Sequence, residues 1–529
     1  MDRREWRWLA WAALALILAS NLPYLIAWAV TPEDATFTGL IFNPQDGNSY
    51  IAKMRQGLSG SWRFRLPYTP ERHAGAPVFL FHLLLGHGAR WTGLPLILIY
   101  HGARVWGGVV MLGGIYALAH ALSDSSRERG TMFLLTSLGS GLGWLAGAAG
   151  VETADLWVPE AFPSYSLLVN AHFPLAIGLM ASAAVCGTRL LDAASPEGDQ
   201  RRRSWPWGLG VMAATTLLGT IQPFGLVPVF GGLGIAAAAR GLRERSVPWR
   251  AGFWIGGVAL LALVYPLYAQ LSIRSDPILA AWSLRNRTPS PALWDWAVSY
   301  GLILALSVPG FIVAMRRGGN ADFVLLGWAL VTLIGMYLPL ALQRRLSLGL
   351  GVPLGLFAGL GWWRGLRPQV GARRRGAVQG LLLALSALTP IFLILAASFS
   401  ALSGEPWFYL SAGERAAFEW LRDHGRTDAV VLCAPQTGTF VPARAGQPVV
   451  YGHPFETVDA ERRRAAVLAY LSGGMSVREE EAFLQANRVG YILIGPRERA
   501  LGATGRSAGG GEALVFEGSG VRVYEVEGG

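Results

Sequence analysis

The sequence predicts an α-helical polytopic membrane protein that ends in a small α/β domain. Apolar residues make up 52% of the 529 residues and charged residues only 15%, a balance typical of integral membrane proteins. Apolar stretches of about 20 residues, the length of a membrane span, recur up to residue 403. Beyond this point the composition is that of a soluble protein. We therefore expect a multi-span membrane domain over 1–403 and an extracytoplasmic α/β domain over 404–529.

The formal net charge of +11 indicates membrane orientation rather than nucleic-acid binding. The basic residues cluster in short loops between apolar stretches, where they determine which side of the membrane a loop occupies. The chain has a single lysine, Lys53, which we ascribe to an arginine-rich genome. Its two cysteines, Cys186 and Cys433, are too few and too far apart for a disulfide framework or a zinc site.

The first apolar run, 8–30, follows a basic N-terminus that contains Arg3, Arg4 and Arg7. This run is longer than the roughly 7 to 15 residues of a signal-peptide core, so we expect a retained anchor. The positive-inside rule then places the N-terminus in the cytoplasm. Residues 31–76 form a long first outer loop.

About eleven spans are predicted in all, each long enough to cross the membrane. The apolar stretch 77–92 is not among them, because it has about the minimum length for a span and also contains His82, His87 and Arg90. We expect it to lie along the membrane surface or to dip into it. With these spans, all the arginine-rich loops lie on the cytoplasmic side and the C-terminal domain lies outside. The membrane we expect is the plasma membrane of a prokaryote. The predicted spans are 8–30, 94–122, 131–150, 168–191, 207–222, 224–239, 251–271, 294–315, 323–342, 346–363 and 377–402.

The C-terminal domain alternates helical and strand patterns. Helices are predicted over 412–424, 459–471 and 477–488, and strands over 429–433, 489–494, 513–516 and 521–526. The glycine-rich stretch 502–511 predicts a loop, and no nucleotide-binding glycine motif is present. We interpret His453, which stands between Gly452 and Pro454, as a turn residue.

The first outer loop centres on Asp46, which precedes an amphipathic helix predicted over 47–58. We expect this helix to lie on or in the membrane interface. An aspartate before a helix is also the usual N-cap, which contributes roughly 1 kcal/mol, and this alternative stays open. The helix presents Tyr50, Ile51, Met54 and Leu58 on one face and turns Lys53 and Gln56 away.

The acidic residues gather in the first two outer loops, whereas the predicted spans are nearly free of them. Ionisable residues inside spans mark ion and proton paths, so their scarcity argues against a proton- or sodium-coupled transporter. We expect instead a site at the outer membrane face. The acids concerned are Asp46 and Glu71 in the first loop, and Glu152, Asp155 and Glu160 in the second loop, 151–167.

The run Asp46-Gly47-Asn48-Ser49-Tyr50, followed by Gly57 and Gly60-Ser61-Trp62, resembles the first-loop motif of oligosaccharyltransferase catalytic subunits. With many spans and an outer C-terminal domain, the whole chain resembles the GT-C superfamily of polyprenyl-linked sugar transferases. That superfamily also contains protein O-mannosyltransferases and lipid A aminoarabinose transferases. Asp155 and Glu160 would match its acidic second-loop motif. No W-W-D-Y-G-type motif occurs, which argues against an enzyme that reads glycosylation sequons.

The resemblance implies an inverting membrane glycosyltransferase. It would transfer a sugar from a polyprenyl-phosphate-linked donor to a lipid, glycan or protein acceptor at the outer face. Phosphate is a good leaving group, so the reaction needs no general acid, but the acceptor hydroxyl needs a base. By the resemblance, that base is Asp46, helped or positioned by Asp155 and Glu160. The cofactor is left open: if a divalent cation, Mg²⁺ or Mn²⁺, takes part, these three carboxylates would hold it.

For the lipid phosphate we expect Arg344 and Arg345, because they place positive charge at an outer span end where it is unusual. Ordinary headgroup contact is the alternative. Tyr50 and His172 are further candidates for substrate contact, although His172 could equally be a satisfied polar group at a span start. Solvated loop positions are the interpretation for Glu71, Glu152 and His73.

Two other function classes remain open from the sequence. A lipid-linked-sugar flippase or other transporter would need a continuous polar path through the spans. A non-catalytic membrane scaffold would leave Asp46, Asp155 and Glu160 scattered.

Overall fold

The computed structural model describes residues 2–193, 204–503 and 512–526. The chain forms two compact units, each assembled from three stretches of sequence. The predicted first outer loop belongs to the same unit as the C-terminal segment, so neither unit is continuous along the chain. Unit 1 comprises Met1–Leu22, His101–Leu267 and Thr288–Ala396, and unit 2 comprises Pro23–Tyr100, Tyr268–Arg287 and Ala397–Gly529.

The described residues are mostly helical, with six short strands. The helices are α1 Arg3–Ala29, α2 Pro44–Leu58, α3 Leu80–Thr92, α4 Leu96–Leu122, α5 Ser126–Leu138, α6 Gly143–Ala148, α7 Ala154–Trp157, α8 Pro163–Leu168, α9 His172–Ala193, α10 Trp205–Ile221, α11 Leu226–Glu244, α12 Trp249–Ser275, α13 Pro277–Arg285, α14 Leu293–Arg317, α15 Asn320–Gly335, α16 Gly351–Leu360, α17 Arg375–Ser386, α18 Leu388–Leu402, α19 Ala412–His424, α20 Pro435–Arg444, α21 Ala460–Leu471, α22 Val477–Ala486 and α23 Pro496–Arg499. The strands are β1 Ala35–Phe37, β2 Tyr409–Ser411, β3 Val430–Leu432, β4 Val489–Ile494, β5 Glu512–Gly518 and β6 Val521–Val526.

The predicted polytopic membrane architecture is confirmed. Within the described residues, 8 helical segments are long and apolar enough to cross a membrane, and the bent pair α17–α18 would make a ninth. This length criterion gives fewer spans than the predicted eleven or so. The difference lies in two short helices: α10 has 17 residues and α15 has 16. Helix α3, with 13 residues, falls well short of the 20 or so that a span needs.

Unit 1 is a bundle in which helices approach one another at glycines. A Cβ atom on Gly310 of α14 would lie 1.9 Å from the Phe357 carbonyl oxygen of α16. A Cβ on Gly355 of α16 would lie 2.4 Å from Thr136 Cα of α5. Because any larger side chain would separate these helices, the glycines permit close packing. The short helices α7 and α8 join the bundle just before α9 begins.

Unit 2 contains the predicted α/β fold. The order of its main sheet is β3-β4-β6-β5, with β3 parallel to β4 and the other pairs antiparallel. Along β4, Tyr491 and Leu493 pack on one side of the sheet, and Ile492 and Ile494 on the other. Both faces are therefore covered, which explains the uninterrupted apolar pattern of this strand. The predicted stretch 502–511 falls largely outside the described residues.

The start of α2 differs from the prediction. The helix begins at Pro44 rather than at Gly47, because proline suits the first helical position, and Asn43 stands at the N-cap with φ 47°. Asp46 therefore lies inside the first turn, and its interpretation as an N-cap is wrong. Helix α2 packs closely on α3, since a Cβ on Gly57 would lie 2.1 Å from the Leu83 carbonyl oxygen.

Candidate functional site

Asp46 is held by two hydrogen-bond donors in unit 2. Asn43 donates from Nδ2 to Asp46 Oδ2 over 2.5 Å, and His453 Nε2 lies 3.1 Å from Asp46 Oδ1. The Asp46 side chain keeps 37% exposure, whereas that of His453 keeps only 2%. An exposed carboxylate is thus fixed in place by a buried imidazole.

The surroundings of His453 determine its tautomer. Its Nδ1 atom accepts hydrogen bonds from the backbone N–H groups of Phe455, over 3.1 Å, and Glu456, over 3.2 Å. A nitrogen that accepts cannot carry the proton, so the neutral ring is protonated at Nε2 and donates to Asp46. The interpretation of His453 as a mere turn residue is therefore wrong. His453 does lie in a turn, in which Thr457 Oγ1 accepts a hydrogen bond from the His453 N–H. This turn also orients the imidazole towards Asp46.

A second ionic pair joins the same two segments. Lys53 Nζ lies 2.7 Å from Glu456 Oε1, and Ser49 Oγ donates to the same oxygen over 2.5 Å. Burial is the largest influence on the Glu456 carboxyl and would raise its pKa. The Lys53 charge, the neighbouring His453 and the hydrogen bonds from Lys53 and Ser49 together outweigh burial and hold this pKa below its ordinary value.

The prediction that Lys53 turns away from the packed face of α2 is wrong, since its side chain is 1% exposed. The ammonium also lies over three aromatic rings, at 4.7 Å from the Phe79 centroid, 5.2 Å from Phe64 and 5.3 Å from Tyr50. A compact ammonium fits such a cage better than a planar guanidinium does. All other basic side chains apart from histidine are arginines. The use of lysine at this one position was the sequence signal that could have indicated a special environment for Lys53.

Tyr50, a predicted substrate contact, stacks on His82 with 4.6 Å between ring centroids and 8° between planes. Tyr68 lies beside His453, with centroids 5.7 Å apart. Burial first, and then the charges of Glu456 and Asp46, raises the pKa of Tyr68 well above its ordinary value. Tyr68 therefore stays protonated and uncharged near the carboxylates of Glu456 and Asp46.

The interpretation of Glu71 and His73 as solvated loop residues is also wrong. Glu71 forms an ion pair with Arg463. His73 accepts from the Leu66 N–H at Nε2, over 2.9 Å, and lies 3.0 Å from Asp276 at Nδ1. These contacts hold the predicted first outer loop against Arg463 and Asp276. By contrast, Glu152 is exposed, as expected.

In unit 1, Asp155 is buried and saturated with hydrogen bonds. Its Oδ2 accepts from Ser140 Oγ at 3.0 Å, from the Gly143 N–H at 3.0 Å and from the Gly141 N–H at 3.3 Å, while Oδ1 accepts from Thr153 Oγ1 at 2.7 Å. A Cβ on Gly143 would lie 2.5 Å from both carboxylate oxygens. These contacts fix the backbone between α5 and α6.

Glu160 and Arg344 come together in unit 1, with Arg344 Nε 3.5 Å from Glu160 Oε1. The guanidinium also lies over the Trp157 ring, 4.8 Å from its centroid. The Glu160 side chain is 5% exposed and that of Arg344 is 21% exposed. The buried carboxylate and the indole thus restrain a cation that remains partly open.

The other predicted residues of unit 1 lie in different surroundings. Arg345 lies over the Phe224 ring, 6.0 Å from its centroid. His172 begins α9 and packs on Phe173, with centroids 4.2 Å apart. The predicted site residues are therefore divided between the units: Asp46 and Tyr50 belong to unit 2 and the others to unit 1.

The oxygens of two of the predicted metal ligands, Asp155 and Glu160, are already engaged by protein groups. The oxygens of Asp155 face four protein donors, and Glu160 faces the Arg344 guanidinium. A cation would have to compete with these positively polarised groups. Within the described part of the chain, no group of three or more His, Cys, Asp or Glu residues is placed to hold a metal ion.

Comparison with known proteins finds similarity at the level of the fold. No family model matches the chain, and no curated protein matches it. ArnT from Cupriavidus metallidurans, solved with undecaprenyl phosphate, matches with a TM-score of 0.56 and 14% identity over 97% of this chain and 98% of that protein. AglB, an oligosaccharyltransferase from Archaeoglobus fulgidus solved with an inhibitory peptide and dolichol-phosphate, matches with a TM-score of 0.53 and 12% identity over 92% of this chain and 69% of that one.

The Archaeoglobus oligosaccharyltransferase has also been solved with zinc and sulfate, and this structure matches with a TM-score of 0.53 and 12% identity over 90% of this chain and 67% of that one. These similarities confirm the fold that the GT-C resemblance implied. This chain is a polytopic membrane protein with the fold of these transferases.

Proposed function

We propose that this chain is a membrane glycosyltransferase that moves a sugar from a polyprenyl-phosphate-linked donor to an acceptor hydroxyl. Two proteins of the same fold, ArnT and AglB, have been solved with a polyprenyl or dolichol phosphate, which supports a donor of this class. The arginine-rich loops support a plasma-membrane orientation with the N-terminus inside and the C-terminal domain outside. The acceptor is a lipid, a glycan or a protein on the outer side.

The observation that carries the proposal is the geometry of Asp46. A general base must be held in position and must also be reachable by the acceptor. Asp46 meets both conditions, because His453 and Asn43 hold its oxygens while its side chain keeps 37% exposure. Asp155 and Glu160 are almost fully buried.

In the proposed reaction, Asp46 takes the proton of the acceptor hydroxyl as that oxygen attacks the anomeric carbon of the sugar. The bond between this carbon and the phosphate oxygen breaks, the anomeric configuration inverts, and polyprenyl phosphate leaves. No general acid is required, because phosphate is already a stable anion. We derive no step through a metal ion, since the oxygens of Asp155 and Glu160 are engaged by protein groups.

The remaining predicted residues receive supporting roles. Asp155 fixes the backbone between α5 and α6, and Glu160 positions Arg344. Arg344 then contacts the donor phosphate, since a partly open guanidinium suits an oxyanion. Arg345, Tyr50 and His172 stay candidates for substrate contact.

The proposed activity can be measured directly. The purified protein, supplied with a polyprenyl-phosphate donor carrying a radiolabelled sugar and with extracted outer-envelope material, is expected to transfer label and to release polyprenyl phosphate in equal amounts. Heat-inactivated protein is the control. Absence of release with every donor sugar tried would contradict the proposal.

Arg344→Gln is expected to lower donor turnover by about ten- to hundredfold, which corresponds to the 1.5 to 3 kcal/mol or so of a charge-assisted hydrogen bond. Arg345→Gln is expected to have a smaller effect, because no carboxylate orients Arg345 towards a ligand. Expression of both variants should match wild type. Unchanged turnover in both would assign the two arginines to ordinary headgroup contact.

A further inference from the structure

Two arginines of unit 2, Arg55 and Arg444, lie in the same region and act on each other as like charges. Arg55 of α2 donates from Nε to the Ala443 carbonyl oxygen over 2.8 Å. Arg444, the next residue of α20, donates from Nη2 to the Thr38 carbonyl oxygen over 2.5 Å. Both partners are backbone carbonyls. Within the described residues, neither guanidinium forms an ion pair, and Arg444 Nε is buried without a hydrogen-bond partner.

The packing around the pair holds the two groups close together. A Cβ on Gly446 would lie 3.3 Å from Arg55 Cδ, so the Arg55 side chain runs along the backbone that follows α20. Gly446 has φ +107°, in the left-handed region that favours glycine. The turn after α20 therefore leaves room for the Arg55 side chain beside the end of α20, where Arg444 is the last residue.

The electrostatic situation of the pair is unfavourable without a ligand. Burial, and then the charges of Arg444 and Arg422, lower the pKa of Arg55 to about 10, although the Asp423 carboxylate acts in the opposite direction. Burial also lowers the pKa of Arg444 to about 10. A buried charge that lacks a partner destabilises a protein, and here two like charges share one region. Both side chains keep partial exposure, so a ligand from solution could reach them.

We propose that Arg55 and Arg444 form a binding site for a phosphate group, separate from the proposed catalytic residue. A phosphate dianion matches the charge of two guanidinium groups and offers oxygens to the N–H donors of their partly exposed side chains. Nine residues, or 2.5 helical turns, separate Asp46 from Arg55 along α2, which places them on opposite sides of the helix about 13 Å apart. The phosphate comes either from solution or from a lipid headgroup.

The test measures the thermal stability of the purified full-length protein. Inorganic phosphate is expected to raise the melting temperature of wild type more than sodium chloride does at equal ionic strength, because chloride only screens the repulsion. Arg55→Gln and Arg444→Gln are each expected to weaken phosphate affinity by about tenfold or more. Without phosphate, both variants should melt no lower than wild type, since each substitution removes one of two repelling charges.

Arg415→Gln is the matched control, because Arg415 is exposed on α19 and the substitution removes the same charge. This variant should respond to phosphate as wild type does.

A second arm of the experiment replaces phosphate with mixed micelles that contain phosphatidylglycerol, and micelles that contain phosphatidylcholine are the comparison. A response to phosphatidylglycerol alone identifies the source as a lipid headgroup, and a response to inorganic phosphate identifies a soluble ligand. Equal shifts in wild type and both Gln variants, or no shift in either arm, would overturn the proposal. Neither result bears on Asp46.

Discussion

Asp46→Asn is expected to lower sugar transfer by at least about a hundredfold, the lower end for loss of a positioned base. The substitution changes little else. The amide oxygen can still accept from His453 Nε2, and the new NH2 group can donate to Asn43 once the Asn43 amide turns to present its oxygen. Asp46 is not the helix N-cap, so α2 loses no capping bond. Folding and membrane insertion should therefore match wild type. The measurement is the release of polyprenyl phosphate by purified variant and wild type at equal protein concentration.

The control for this substitution is Glu33→Gln, which removes a carboxylate from an exposed position of the same predicted outer loop. It should transfer sugar at the wild-type rate. Asp46→Ala should be as inactive as Asp46→Asn, because both lack the base. Full activity of Asp46→Asn would remove the proposed mechanism, while the fold and the Arg55–Arg444 site would be unaffected.

Lys53→Met is expected to destabilise the protein by about 3 to 5 kcal/mol, the usual effect of breaking a buried ion pair from one side. Methionine fills the aromatic cage, but Glu456 is then left with a buried charge and without its ammonium partner. The double variant Lys53→Met/Glu456→Gln should recover much of this loss, because no uncompensated charge remains. Unfolding in denaturant, followed by tryptophan fluorescence, measures both variants.

The same pair predicts a pH dependence. The pKa of Glu456 is lowered in the folded protein, so its contribution to stability is present above the unfolded value, about 4.3 for glutamate. The contribution is lost as pH falls through the lower folded pKa. The stability difference between wild type and Lys53→Met should therefore shrink below about pH 4. A difference that stays constant down to pH 3 would contradict the assigned ion pair.

Much of the fold could be predicted because its causes are local. The apolar stretches needed to cross a bilayer are continuous in sequence, and α4, α9, α12 and α14 follow them closely. Strand β4 was predicted with its observed ends, since a strand covered on both faces is apolar throughout. The predicted start of α2 is three residues too late, because the prediction places Asp46 before the helix, whereas the helix begins at Pro44.

The site could be predicted only in part. Asp46 is a candidate because of its place in a local motif, but the histidine that contacts it, His453, lies 407 residues away along the chain. A histidine between glycine and proline carries no local sign of the carboxylate that it will meet. In the same way, the helical period of α2 places Lys53 on a polar face, whereas the aromatic rings around it and the distant Glu456 make that position a buried one.

The sequence by itself determined which stretches are apolar enough to enter the membrane and which charged residues lie in the loops between them, because hydrophobicity and helical period depend on neighbouring residues alone. Only the tertiary structure decided what those charges do. Asp155 became a backbone anchor and Glu160 a restraint on Arg344, whereas Asp46 kept its exposure beside a buried imidazole. Burial and the hydrogen-bond partners of a carboxylate are set by segments far apart in sequence, and these two quantities separate a structural acid from one that can take a proton.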